Sequence, residues 1–160
     1  MIEIVLADYQ NPRHRQALTA MLDDYARDPM GGGEPISDDV RERLVDEMAK
    51  REHVFSLLAF DDNQAVAIAN CVEGFSTFAA APVMNIHDIA VVKTHRGQGI
   101  AQRLLSEVRT LAEFRGCCKL TLEVLAGNEV AKSAYQRFGF KPYQLDDAYG
   151  RAEFWQCYLN

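Results

Sequence analysis

The chain has 160 residues, 48% of them hydrophobic and 25% charged, which suits one domain with a substantial core and excludes a disordered tract. A formal net charge of −6 argues against a nucleic-acid partner, and no apolar run reaches the ~20 residues that a membrane-spanning helix needs. The start Met1-Ile2-Glu3-Ile4-Val5 lacks the basic opening and long apolar core of a secretory signal, so a cytoplasmic location is expected.

In chain order, Ile2 to Ala7 read as a first strand. Asn11-Pro12 form an N-cap with proline at the first helical position, and Ala17, Leu18, Met21, Leu22 and Tyr25 line one face of the helix that follows. Pro29 stops it before a Gly31-Gly32-Gly33 loop carrying Glu34 and Pro35. Ser37 caps a second helix, with Asp38 and Asp39 in its first turn and Val40, Leu44, Val45 and Met48 as its apolar face. Val54 to Phe60 and Ala65 to Val72 read as a hairpin about Asp61-Asp62-Asn63. Glu73 to Pro82, with Gly74, Phe75 and Phe78, is predicted to be an irregular connection, and Val83 to Val92 the next strand.

A third helix carries Ile100, Leu104, Leu105, Val108, Leu111 and Ala112 at helical spacing and ends near Arg115-Gly116. Lys119 to Leu125 alternate as a strand, and Asn128 caps a fourth helix that ends at Gly139. Phe140 to Leu145 and Glu153 to Leu159 are expected to close the sheet. No repeat, low-complexity tract or linker divides the chain, so residues 1–160 are read as a single domain of mixed α/β type.

Cys71, Cys117, Cys118 and Cys157 form no Cys-x-x-Cys pair, and the histidines are not spaced to complete a zinc site. Structural thiols and no metal are expected. Between the strand ending at Val92 and the third helix stands Arg96-Gly97-Gln98-Gly99-Ile100-Ala101. A tight glycine loop opening a helix aims unpaired backbone N–H groups and the positive dipole end at one spot, which favours a phosphate. A plain strand-to-helix turn accounts for the glycines equally well. The dinucleotide fingerprint is excluded because Gln102 stands where its third glycine belongs, and no Gly-Lys-Ser/Thr triplet exists for a Walker loop.

From Asn85 to Phe140 the chain resembles the GCN5-related N-acetyltransferase (GNAT) superfamily, whose acetyl-coenzyme A loop reads Arg/Gln-x-x-Gly-x-Gly/Ala. Arg96, Gly99 and Ala101 fill its three defined places. Ile86-His87-Asp88-Ile89-Ala90-Val91 is similar to the family's central strand, and Asn128 to Ala131, Tyr135 and Phe138-Gly139-Phe140 to its following helix. The resemblance implies an acyl-CoA N-acyltransferase fold: a mixed, mostly antiparallel sheet of about seven strands, splayed in the middle and flanked by about four helices.

It further implies acetyl-CoA as co-substrate, its pyrophosphate held by Arg96, Gly97, Gln98, Gly99, Ile100 and Ala101. The pantetheine arm would lie along Ile89, Ala90 and Val91, with Asn128, Ala131 and Tyr135 contributing from the later helix. A β-bulge near Val91-Val92 would aim an N–H at the thioester carbonyl. Tyr135, seven residues after Asn128, would protonate the leaving thiolate.

An acceptor amine must lose a proton before it attacks. Glu123, His87, Asp88 and Glu73 are the candidates to remove it, with Glu123 placed first. Strict alternation puts His87 and Asp88 on opposite faces, so one at most faces the cleft. The activity implied is N-acetylation of a primary amine on a small molecule by direct attack. A protein amine as acceptor, a non-catalytic acyl-CoA-binding module and a phosphate-binding protein without coenzyme A are the alternatives. Phe75 and Phe78 are candidate pocket walls or core aromatics. No membrane partner is expected, and a homodimer through Glu153 to Leu159 is an expectation of the family.

Overall fold

A computed structural model describes residues 1–159. It separates into two compact units, Met1–Leu122 and the residues from Glu123 onward. The first holds β1 (Ile2–Leu6), α1 (Pro12–Arg27), α2 (Asp38–Ala49), β2 (Val54–Asp61), β3 (Gln64–Ser76), β4 (Ala81–Val91), α3 (Ile100–Phe114) and β5 (Leu120–Leu122). Asn11 caps α1 by accepting from the N–H groups of Arg13 and His14, and the Ser37 hydroxyl caps α2 by accepting from Val40. Between the two helices Gly31 stands in a tight turn where a Cβ would lie 2.0 Å from the Tyr25 carbonyl oxygen, so no other residue fits.

The five strands form one sheet in the order β1-β2-β3-β4-β5, antiparallel except for the parallel β4–β5 pair. The α/β class with four helices and a mixed sheet is as expected, with five strands among the described residues where about seven were anticipated. β3 and β4 are longer than predicted and meet as a hairpin, so the expected irregular connection Glu73 to Pro82 is mostly strand, turning at 77–80 with Ala80 at φ 48°. β5 is shorter than predicted, ending at Leu122 instead of Leu125. The bulge lies elsewhere than near Val91-Val92. Asn70 and Cys71 of β3 face Asp88 and Ile86 of β4, which leaves His87 as the extra residue.

Alternation along the strands gives the sheet two apolar faces. On one, Leu58, Phe60 and Ile68 pack with Ala17, Leu18 and Met21 of α1 and Val45 of α2. On the other, α3 packs on β2, β3 and β4 through its buried Ile100, Leu104, Leu105, Val108 and Ala112.

Helices α1 and α2 are tied by Asp23, which accepts from Arg27 Nε (2.9 Å), Arg41 Nη2 (3.0 Å) and the Ile36 N–H (3.1 Å). These bonds, Arg27 foremost, hold its carboxyl below the usual aspartate range. A depressed folded-state pKa contributes stability that is present above the unfolded value near ~4 and lost as pH falls through the folded value. Asp23→Asn is therefore expected to cost about 1–3 kcal/mol at neutral pH. The gap to the parent should close below about pH 4, as read by urea unfolding across pH.

The second unit contains α4 (Glu129–Phe138), capped by Asn128 through its Oδ1 and the Ala131 N–H at 3.2 Å. Gly139 ends it at φ 119°, donating to the Tyr135 and Gln136 carbonyls. The Phe140 ring meets Tyr135 edge-on and stacks on Phe138, both at 5.9 Å. The expected closing strands, Phe140 to Leu145 and Glu153 to Leu159, are not formed among the described residues. An isolated bridge pairs Gln144 of the first segment with Arg151, which precedes the second, and Tyr143, Leu145, Phe154, Trp155 and Tyr158 are exposed.

Candidate active site

β5 pairs with β4 only at Met84, Asn85 and Ile86. Beyond that point β5 has ended, so His87 to Val91 pair with a strand only on their β3 side and present an edge of backbone groups on the other. Ile89, Ala90 and Val91 are half-buried along it. The bulge at His87 falls one residue past the end of the β4–β5 ladder. It changes the relation between His87 and Asp88, because alternation does not carry across an inserted residue. His87 is exposed and Asp88 half-buried.

A 3-10 turn over Lys93–His95 stands between β4 and the glycine loop, a feature the apolar pattern did not reveal. Gly97 and Gly99 both adopt left-handed φ, 76° and 78°, and Gly99 is the N-cap residue of α3. Its side chain can offer no cap, which leaves the opening N–H groups of the helix facing outward for an anion. A Cβ at either glycine would meet nothing within 4 Å, so backbone conformation and access are what glycine supplies here.

Arg96 is engaged within the protein. Its Nε donates to the Val91 carbonyl at 3.0 Å and its Nη2 pairs with Asp28 at 3.3 Å. It thereby fastens the loop to the end of β4 and to the end of α1. The Asp28 carboxyl is held below its usual range, first by the Met30 N–H and next by Arg96. Gln98 folds back on the Thr94 carbonyl at 3.3 Å.

The proton-acceptor candidates have different surroundings. Glu73 forms an ion pair with Arg115 at 2.6 Å and lines an open groove of about 620 Å³ with Glu52, His53, Phe75 and Pro82, at the opposite end of β4 from the loop. Phe75 is thus a groove wall, while Phe78 is fully exposed. Glu123 is exposed, one residue past β5, and not within a strand as expected.

Asp88 accepts from Asn70 Nδ2 at 3.1 Å; Asn70 Oδ1 accepts from Ser56 Oγ at 2.7 Å; Ser56 lies 3.0 Å from the Tyr9 hydroxyl. Tyr9, Ser56 and Asn70 were not singled out from the sequence, where Ser56 and Asn70 are lone polar residues within apolar runs and Tyr9 stands in the polar stretch between β1 and α1. Burial raises the Tyr9 hydroxyl above the usual phenol value. It also drives the Cys71 thiol up to about 12, helped by Asp88, so Cys71 is an inert structural thiol. Among the described residues no group of three or more His, Cys, Asp or Glu could hold a metal.

The acetyltransferase (GNAT) family model matches residues 16–140. The chain belongs to that family. Over 93 residues it is 33% identical to N-alpha-acetyltransferase 30 of Schizosaccharomyces pombe, covering 56% of this chain and 59% of that enzyme. Over 65 residues it is 42% identical to the streptothricin acetyltransferase of Streptomyces lavendulae, covering 41% and 34%. The matches therefore span less than two thirds of these relatives. An aminoglycoside N-acetyltransferase solved in complex with CoA superposes with a TM-score of 0.75 at 20% identity, covering 98% of this chain and 95% of that one, which shows the shared fold.

Proposed function

We propose that the protein transfers an acetyl group from acetyl-CoA to a primary amine on a small molecule, by direct attack. The observation that carries this is the loop from Arg96 to Ala101, with left-handed Gly97 and Gly99 opening α3 beside the unpaired edge of β4. In this reading the N–H groups from Gly97 to Ala101 hold the pyrophosphate, and Arg96 holds the loop in shape. The pantetheine arm pairs with Ile89 to Val91 as an added strand. Acetyl-CoA supplies an activated thioester carbonyl.

Asn128, Ala131 and Tyr135 complete donor binding, Tyr135 protonates the thiolate, and Glu123 is a candidate to deprotonate the amine. These assignments rest on the family resemblance. So does the reading of 1–160 as one domain, which gains support from a family match that draws on both units. The small-molecule acceptor is favoured by relatives named for streptothricin and aminoglycosides. A protein amine is the second reading, favoured by the fission yeast N-alpha-acetyltransferase.

A cytoplasmic setting suits the four free cysteines. No described helix is long and apolar enough to cross a membrane. A homodimer through Glu153 to Leu159, where Phe154, Trp155, Tyr158 and Leu159 are exposed, is also part of the proposal, and a monomer in sedimentation equilibrium would remove it.

The functional reading is tested by thiol release from acetyl-CoA in the presence of neamine, spermidine, thialysine or a short peptide with a free N-terminus. Release with one of the small amines is expected. Release with the peptide alone would favour the second reading. A thermal-shift comparison of acetyl-CoA with ATP and NAD checks the donor, and stabilisation by acetyl-CoA alone is the expected result.

A further inference from the structure

Ser56, Asn70 and Asp88 are directly opposite one another on β2, β3 and β4, so their side chains form one row across the sheet. The next row on the same face is Leu58, Ile68 and Ala90, part of the apolar packing under α1 and α2. Ser56 is 1% exposed and Asn70 7%. A hydroxyl and an amide at such depth are costly unless bonded, and an apolar row like its neighbour would fill the same space.

The bonding has one consistent sense. An ionised Asp88 only accepts, so Asn70 must turn its NH2 toward it and its carbonyl toward Ser56. Ser56 then spends its proton on Asn70 and accepts from the Tyr9 hydroxyl. The series fixes the Asp88 carboxylate beside the bulge, just past the end of the β4–β5 ladder, where the β4 edge is unpaired. Its anchor is neutral, so the carboxylate is oriented without its charge being cancelled. Glu73, by contrast, is paired with Arg115. From α1, the Tyr25 hydroxyl lies in the field of Asp88 and Asp28, which raise it after burial does.

We propose that Asp88 receives the acceptor as its ammonium ion and takes the first proton from it, with Asn70, Ser56 and Tyr9 as the positioning residues that aim it. This rests on the N-acetyltransferase reading and names the acceptor as a cationic alkylamine. One N–H proton of R–NH3⁺ passes to the Asp88 carboxylate and on to water. The freed lone pair forms the C–N bond, and the C–S bond breaks with its electron pair leaving on sulfur. A second N–H proton ends on the coenzyme A thiol, and the third remains in the amide.

The test uses the full chain with neamine and thialysine as acceptors. Asp88→Asn is expected to lower kcat/KM by about 100-fold. Asn70→Ala should lower it about tenfold, chiefly by raising the amine KM, and Tyr9→Phe by about threefold. Titration calorimetry should show neamine binding weakened in Asp88→Asn while acetyl-CoA affinity stays within about twofold of the parent in every variant. In the Asp88→Asn background, Asn70→Ala should have no further effect, which a merely structural role would not produce. Asp88→Glu should recover part of the loss.

Activity of Asp88→Asn within about threefold of the parent, or additive losses in the double variant, would overturn the proposal. If Asn70→Ala fails to fold, Tyr9→Phe, which keeps its ring, decides the same question. A parent that binds acetyl-CoA yet acetylates neither amine overturns this inference alone. A parent that does not bind acetyl-CoA overturns the donor reading itself.

Discussion

Gly99→Val is expected to raise the dissociation constant for acetyl-CoA by about 100-fold while leaving the fold largely intact. A β-branched residue at φ 78° carries a strain of ~1–2 kcal/mol, because its Cβ crowds the following carbonyl. The loop relieves that strain by leaving the left-handed region, and the opening N–H groups of α3 then turn away from where the pyrophosphate would sit. Losing one charge-assisted bond costs a further ~1.5–3 kcal/mol, which brings the total to the stated factor. No neighbouring atom lies within 4 Å of the new Cβ, so the effect on thermal unfolding should be only that of the strain. Calorimetric titration beside a melting curve separates the two. An affinity within about threefold of the parent would remove the loop from the donor site.

Tyr135→Phe should lower kcat by about 10²–10³-fold, with the acetyl-CoA dissociation constant nearly unchanged. The substitution keeps the ring that packs edge-on against Phe140, so the helix end capped by Gly139 is preserved. What is lost is the hydroxyl proposed to protonate the departing thiolate. A thiolate expelled without a proton recaptures the carbonyl carbon more readily than a thiol does, so the chemical step slows and binding does not. Single-turnover and steady-state rates should fall together. Unchanged turnover would reassign Tyr135 to packing.

Local chemistry was legible from the letters. Asn11, Ser37 and Asn128 each cap a helix because a side-chain oxygen within three residues suffices. The glycine loop was readable for the same reason, as was Gly139 at the end of α4. Features decided by a partner strand were not. The β3–β4 hairpin was hidden because its turn uses Ala80 at positive φ in place of the usual glycine or asparagine, and because Gly74 stands inside a strand. The bulge at His87 exists only relative to Asn70 and Cys71. The closing strands failed for the complementary reason: a strand exists only through its pairing, and the pairing seen there among the described residues is a single Gln144–Arg151 bridge.

The same distinction holds in the site. Resemblance supplied the donor loop, yet it gave no reason to rank Asp88 above Glu123 and Glu73. Register brings Ser56, Asn70 and Asp88, spread over 33 positions of sequence, into one row, and no single-strand pattern contains that information. Arg96 illustrates the converse. Its motif position suggested a hand on phosphate or on the loop, and its bonds to Val91 and Asp28 favour the loop.

Calorimetric titration of the parent chain with acetyl-CoA tests donor binding at the glycine loop most directly. One site per chain with a micromolar dissociation constant is expected, weakened about 100-fold by Gly99→Val. No binding up to millimolar acetyl-CoA, or equal affinity in the two proteins, would contradict it.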